Sequence, residues 1–250
     1  MQDKIKIEIC CGSAEDVFIA ARCGADRAEL SSCLYFGGLT PSVGTVVEAK
    51  KAGIPVIAMV RPREGGFCYS EVEKKVCLLD AQSLLGAGAD GIVFGALTED
   101  RKIDLGLTRR MVELAEGRET VFHRAFDLIE TDWKRSLSQL IDLGVTRILT
   151  SGFAATAPQA VDTLAEMVRF AGGAIEILPG SGIRLNNAVE LCRRTGCDQV
   201  HTSGGQLRLL DPSEGFSDRV SFTPDVPPQP GYGRTNEETL RQFVREVKGI

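Results

Sequence analysis

The stretch Gly24-Ala-Asp-Arg-Ala-Glu-Leu30 decides the fold, because its shape returns along the chain. A glycine, one residue, Asp or Thr, and then a short apolar strand recur as Gly88-Ala-Asp-Gly-Ile-Val-Phe94, Gly144-Val-Thr-Arg-Ile-Leu-Thr150 and Gly196-Cys-Asp-Gln-Val-His-Thr202. Gly53-Ile-Pro-Val-Ile-Ala-Met59 is a variant. A glycine that ends a helix takes the left-handed conformation, and a strand starts two or three residues later. Each recurrence therefore marks a turn from helix to strand. The pattern predicts eight strands, at about 5–9, 27–31, 56–60, 90–95, 120–124, 146–150, 174–179 and 198–202, with a helical pattern in every gap. Helix starts are signalled by Ser70 with Glu73, Thr40-Pro41, Thr131-Asp132, Pro158 and Thr235 with Glu238. Eight βα units imply a closed (β/α)8 barrel. A doubly wound open sheet is the competitor, but no GxGxxG follows Ile9 and no nucleotide cofactor is expected.

The chain of 250 residues is 25% charged and 43% hydrophobic, which suits one barrel domain spanning 1–250. Asp211 to Tyr232 is rich in proline and reads as a long loop before the last helix. No stretch reaches the roughly 18 apolar residues of a membrane span, and MQDKIKIEIC has no apolar signal region, so a cytoplasmic setting is expected. The net charge of −5 comes from interspersed charges without a basic stripe, which argues against nucleic acid and against a membrane surface. A homo-oligomer is compatible with this composition. The 8 cysteines show no CxxC spacing, so most read as small buried hydrophobes.

In such a barrel the chemistry sits at the carboxyl ends of the strands. Alternation turns Glu8 and Cys10 of the first strand, and Arg27, Glu29 and Ser31 of the second, into the lumen. The third strand adds Arg61 and Arg63, the fifth His123, Arg124 and Asp127, and the eighth His201. Parity admits only one of His123 and Arg124 to the lumen. Glu8, Arg27 and Glu29 fit a buried ion-pair ladder. Glu8 and Glu29 also fit acid–base work or a divalent cation site, with His123 or His201 moving protons. Arg61, Arg124 and Asp127 are candidates for holding an anionic substrate. The turn containing Gly180, Ser181 and Gly182 after the seventh strand, and Ser203-Gly204 after the eighth, suit a phosphate cradle that Ser151 extends. The lysines (4, 6, 50, 51, 74, 75, 102, 134, 248) avoid the strand ends, which disfavours a Schiff-base aldolase. Two histidines cannot build a three-histidine zinc site. Cys10 ends the first strand and Cys33 lies just past the second, its neighbour, and soft thiolates select Cu(I).

Together Ile7-Glu-Ile-Cys10, the Gly24–Leu30 stretch, Gly37-Gly-Leu-Thr-Pro-Ser42, Met59-Val-Arg-Pro-Arg63, Asp90-Gly-Ile-Val-Phe-Gly-Ala-Leu-Thr-Glu-Asp100, Phe122-His-Arg-Ala-Phe-Asp127, Arg147-Ile-Leu-Thr-Ser-Gly152 and Pro179-Gly-Ser-Gly-Ile183 resemble the CutC family. The resemblance runs from the first strand to the eighth. It implies a cytoplasmic (β/α)8 barrel in copper homeostasis, binding Cu(I) through cysteines near the first two strands. Cys10 matches the first of these cysteines, while Ser31 stands at the second, so Cys33 becomes the candidate partner. Glu8, Arg27, Glu29, Arg61, Arg63, His123, Arg124, Asp127 and Arg147 all match the family's pattern. Two functions follow. One is Cu(I) binding; the other is acid–base or metal-assisted catalysis on a phosphorylated or otherwise anionic, sugar-like molecule. A barrel that only scaffolds an assembly explains none of the strand-end polarity.

Overall fold

The computed structural model describes residues 5–130, 132–210, 212 and 231–249. Eight parallel strands form the barrel: β1 (Lys6–Cys11), β2 (Arg27–Leu30), β3 (Val56–Met59), β4 (Gly91–Phe94), β5 (Glu119–Phe122), β6 (Arg147–Thr150), β7 (Glu176–Pro179) and β8 (Gln199–Thr202). Each is followed by one helix: α1 (Ala14–Cys23), α2 (Val43–Ala49), α3 (Glu71–Gly86), α4 (Leu105–Ala115), α5 (Trp133–Asp142), α6 (Val161–Ala171), α7 (Ala188–Thr195) and α8 (Glu237–Lys248). The five recurring glycines, Gly24, Gly53, Gly88, Gly144 and Gly196, all have φ between 79° and 98°, as helix-ending turns require.

The ladder runs β7-β6-β5-β4-β3-β2-β1-β8, so the last strand pairs with the first. Among the described residues no ladder joins β7 to β8. The amides of Glu176 and Gly180 bond to β6 and its preceding turn, so alternation turns Ile177 and Pro179 toward β8. Proline has no N–H to give there. Side chains bridge the gap instead: Gln199 Nε2 donates to Glu176 Oε2 at 3.2 Å, and Thr202 Oγ1 to the Ile183 carbonyl at 3.1 Å.

Alternation divides the strands into two cores. Outward residues such as Ile7, Ile9, Leu30, Ile92, Phe94, Phe122 and Ile148 are buried under the helices. Inward, Ile57, Met59, Val93, Val121, Leu149 and Leu178 form an apolar belt that fills the lumen, so the barrel is a packed core and no pore. Polar residues occupy the lumen on either side of this belt.

Several element boundaries differ from expectation for local reasons. Ser70 and Glu73 do form a reciprocal capping box. Ser42 replaces Thr40 as the cap of α2, and Asn236 replaces Thr235 as the cap of α8, because Thr235 ends a strand. That strand, β10 (Tyr232–Thr235), pairs antiparallel with β9 (Gln206–Leu209), a pairing the sequence did not suggest. Pro158 is the second residue of a short 3-10 turn (Ala157–Gln159) ahead of α6. Most of the proline-rich 211–232 segment lies outside the described residues. No helix among those described is long and apolar enough to cross a membrane.

Candidate functional site

At the amino-terminal side of the belt, the inward charges join in one ladder. Arg147 donates to Glu119 at 2.7 Å and to Glu176 at 2.6 Å, and lies 3.8 Å from Glu8. Gln199 links Glu176 to Arg27, whose Nε donates to Glu8 Oε2. Burial alone would raise the Glu8 carboxyl, but Arg27, His201 and Arg147 outweigh it and hold the group well below the usual carboxylate range. Of the three residues expected in a buried ladder, Glu8 and Arg27 belong to it and Glu29 does not.

Glu8 is shared between this ladder and the mouth of the barrel. Its other oxygen, Oε1, lies 2.7 Å from His201 Nδ1. Burial opposes a charge on His201, yet Glu29 and Glu8 together raise its pKa above the ordinary value. With Nδ1 engaged, Nε2 is the nitrogen left for a ligand, an orientation that outer-shell carboxylates give metal-bound histidines.

The register Cys10↔Glu29 across β1 and β2, and Glu8↔His201 across β1 and β8, gathers three donors at the mouth. One ligand atom each from Cys10, Glu29 and His201 lies within 4.8 Å of the others. Cys10 Sγ donates to Glu29 Oε1 at 3.7 Å, and Glu29 Oε2 is buried without a partner. Burial and the Glu29 carboxylate push the Cys10 thiol well up, so it is no thiolate nucleophile. Burial, reinforced by Glu8, raises Glu29 as well. Cys33 stays apart from this cluster. It is exposed, with φ 49°, at the start of a 3-10 turn (Leu34–Phe36), and Ser31 occupies the inward position ahead of it.

Arg61 does not present a free fork. Its NH1 donates to the carbonyls of Phe36 (2.8 Å) and Gly38 (3.0 Å), and its NH2 to Gly65 (2.9 Å), which ties the two loops over the mouth. Only Nε, buried, has no acceptor. Arg63 turns outward to Glu73 and the Cys68 carbonyl.

Between His123 and Arg124, His123 is the one buried at the mouth. Its Nδ1 accepts the Ala125 amide at 3.2 Å, and its buried Nε2 has no partner. Burial, with Arg61 adding to it, lowers its pKa to about 3, so the imidazole is neutral and Nε2 carries the proton. Arg124 is half exposed and donates to Asp127 and to Ser151 Oγ, each at 2.9 Å. Asp127 accepts from Thr150 Oγ1 and from the Ser151 amide and hydroxyl. These three side chains fasten the turn after β5 to the end of β6, and they satisfy one another.

The two glycine turns are likewise tied into neighbouring loops. Ser181 Oγ donates to the Ala155 carbonyl, Asn187 to the Gly182 carbonyl, and the Gly204 amide to Thr202 Oγ1. Gly180 has no side chain where a Cβ would come within 2.5 Å of Leu149. Ser203 is half-buried beside them. A groove of about 570 Å3 lies elsewhere, on the outer flank between Lys75 and Gln82 of α3 and Arg110 and Glu113 of α4, away from all these groups.

Sequence reasoning missed Glu119, Glu176 and Gln199, although inward parity on β5, β7 and β8 marked them. It also missed Phe67. That ring packs on His123 with centroids 4.7 Å apart, and the Arg61 guanidinium lies 5.2 Å from its centroid.

The model of the CutC family matches residues 5–206. The family protein CutC of Treponema denticola is 50% identical over 198 residues, covering 79% of this chain and 80% of that protein. The family protein CutC of Caulobacter vibrioides is 40% identical over 248 residues, covering 99% and 98% respectively. A crystal structure described as the "Putative Copper Homeostasis Protein CutC from Streptococcus agalactiae" aligns with a TM-score of 0.76 at 33% identity, covering 80% of this chain and 98% of that one. A 4-hydroxy-2-oxoglutarate aldolase at 16% identity, with a TM-score of 0.58, shares the barrel fold alone.

Proposed function

Because the chain belongs to the CutC family, we propose that it serves copper homeostasis by binding one Cu(I) ion at the mouth of its barrel, in the cytoplasm, with Cys10 and His201 as ligands. The observation that carries this reading is the cluster of Cys10, Glu29 and His201 donor atoms within 4.8 Å of one another. Cu(I) favours a soft thiolate and accepts imidazole, and it tolerates low coordination numbers. Glu29 supplies a base for the thiol proton that the metal displaces, and Glu8 holds the His201 ring from behind. Cys33 is not a ligand in this reading. The third donor, the Glu29 carboxylate, also makes the set suitable for a zinc-like divalent ion.

Anaerobic titration against a Cu(I) chelator tests it. Wild type is expected to bind one equivalent. Cys10→Ser and His201→Gln should abolish the competition, Glu8→Gln should weaken it by about 10- to 100-fold as an outer-shell loss, and Cys33→Ser should change nothing. Affinity indifferent to Cys10→Ser would overturn the copper site. Zn(II) held in preference to Cu(I) by the same three residues would replace copper with a divalent metal.

A second reading, catalysis on an anionic small molecule, has its own support. Glu29 Oε2, Ser31 Oγ, Arg61 Nε and His123 Nε2 are buried polar atoms without partners, all at the ends of barrel strands. Buried polar groups are ordinarily satisfied, and concentrated exceptions mark binding sites.

A further inference from the structure

Arg61 is a buried cation without a counter-ion. Its exposure is 6%, and no carboxylate among the described residues pairs with it, whereas Arg27, Arg63 and Arg147 each pair with at least one. Backbone carbonyls from two loops hold its NH1 and NH2 and leave the Nε–H unanswered. Burying a charge on dipoles alone is costly, and native proteins pair such charges with an anion.

His123 presents a second unanswered donor to the same neighbourhood. Phe67 packs on both residues. The imidazole is packed between the Phe67 ring and Gly95, lying so close to that glycine that a Cβ there would come within 2.4 Å of it. The amide of Ala125 holds Nδ1 as the acceptor, which leaves Nε2–H as a donor at every pH above about 3. Ser31 brings a third buried group. Its hydroxyl has no partner, and it lies 3.0 Å from where a Cβ would stand on Gly38, the residue whose carbonyl holds Arg61. The floor beside these groups is apolar, with Met59 of the belt near Gly38.

We propose that the barrel mouth binds the oxyanion of a small molecule, a carboxylate or a phosphate, between Arg61 Nε–H, His123 Nε2–H and the Ser31 hydroxyl. The buried guanidinium supplies the charge, and the two fixed N–H groups supply donors that need no reorganisation on binding. The proposal deepens the second reading above by naming its substrate class. It is independent of the metal reading, since it uses none of Cys10, Glu29 and His201.

The test is calorimetric titration of the metal-free full chain, kept in chelator, with inorganic phosphate and separately with malonate. The His123 Nε2–H resonance is followed by NMR in parallel. One saturable site is expected for at least one probe, with the His123 resonance moving as it fills; which probe binds identifies the oxyanion. His123→Phe keeps the ring stack on Phe67 and should weaken binding about tenfold or more, the loss of one charge-assisted hydrogen bond. His123→Gln, which retains an N–H donor, should stay within about threefold. Cys10→Ser should bind like wild type, so failure of the copper site leaves this result standing. Thermal melts establish that each variant is folded. Arg61 itself is a poor target, since its loss would release two loops. No saturable binding of either probe, an unmoved His123 resonance, or equal binding by folded His123→Phe would overturn the proposal.

Discussion

His123 carries a cost in acid that its neighbours make visible. Its native pKa of about 3 lies below the ordinary 6.5. As pH falls through that window the unfolded chain takes up a proton that the folded one refuses, so stability is lost as pH drops from about 6.5 toward 3. At pH 4 this amounts to about 3 kcal/mol. His123→Phe should therefore flatten the fall in unfolding free energy between pH 7 and pH 4 by about that amount, measured by urea denaturation at each pH. A variant with the same slope as wild type would mean that His123 reaches water and titrates normally. Lumen orientation was legible for Glu8, Cys10, Glu29 and Arg61, because strand alternation follows directly from a short apolar run, whereas the choice between His123 and Arg124 was left to the structure, which buries His123. What each atom of those side chains touches was not legible. Nothing in the order of residues foretells that the Arg61 fork is spent on the carbonyls of Phe36, Gly38 and Gly65.

Among the elements, β6 is stitched at both ends to its neighbours through side chains. Arg147, 3% exposed at its start, reaches Glu119 on β5 and Glu176 on β7, while Asp127 from the turn after β5 grips its far end at Thr150 and Ser151. Breaking a buried ion pair typically costs about 3–5 kcal/mol. Glu119 and Glu176 are about 40% exposed and can turn to water, so Arg147→Met should cost less, about 2–3 kcal/mol by urea unfolding. A loss below about 0.5 kcal/mol, the usual scatter for surface changes, would show that β6 is held by its backbone ladder alone. The helix-to-strand turns made each element legible, since a glycine with positive φ is a local event. The pair β9–β10 was not legible. Its strands are separated by a long segment, and register across such a gap leaves no periodic trace.

For the whole molecule, the decisive feature is that the ladder begins at β7 and ends at β8. Ile177 points its amide toward β8, where no ladder receives it, while Leu178 points toward β6. Native-state hydrogen exchange should therefore find the Ile177 amide about tenfold or more faster than that of Leu178. Equal protection would mean that the seam closes in solution. The barrel itself was legible from eight βα units, but the seam between β7 and β8 was not. The Cys10–Glu29–His201 cluster needs β1 between β2 and β8, which a closed barrel implies; that these three donor atoms meet is set by register and side-chain rotamers, which leave no trace along the chain.

That closure also sets a timetable. The chain leaves the ribosome from β1 onward, and the strip from β1 to β7 can assemble in the order of synthesis. The β1 edge must wait, because its remaining partner spans 199–202 and is the last barrel strand to emerge. Until then the nascent chain carries an unpaired apolar edge, the kind of surface that recruits chaperones or other chains. The arrival of β8 shields that edge and, in the same event, delivers His201 to Cys10 and Glu29. A chain stalled before residue 199 therefore lacks both its finished barrel and its site.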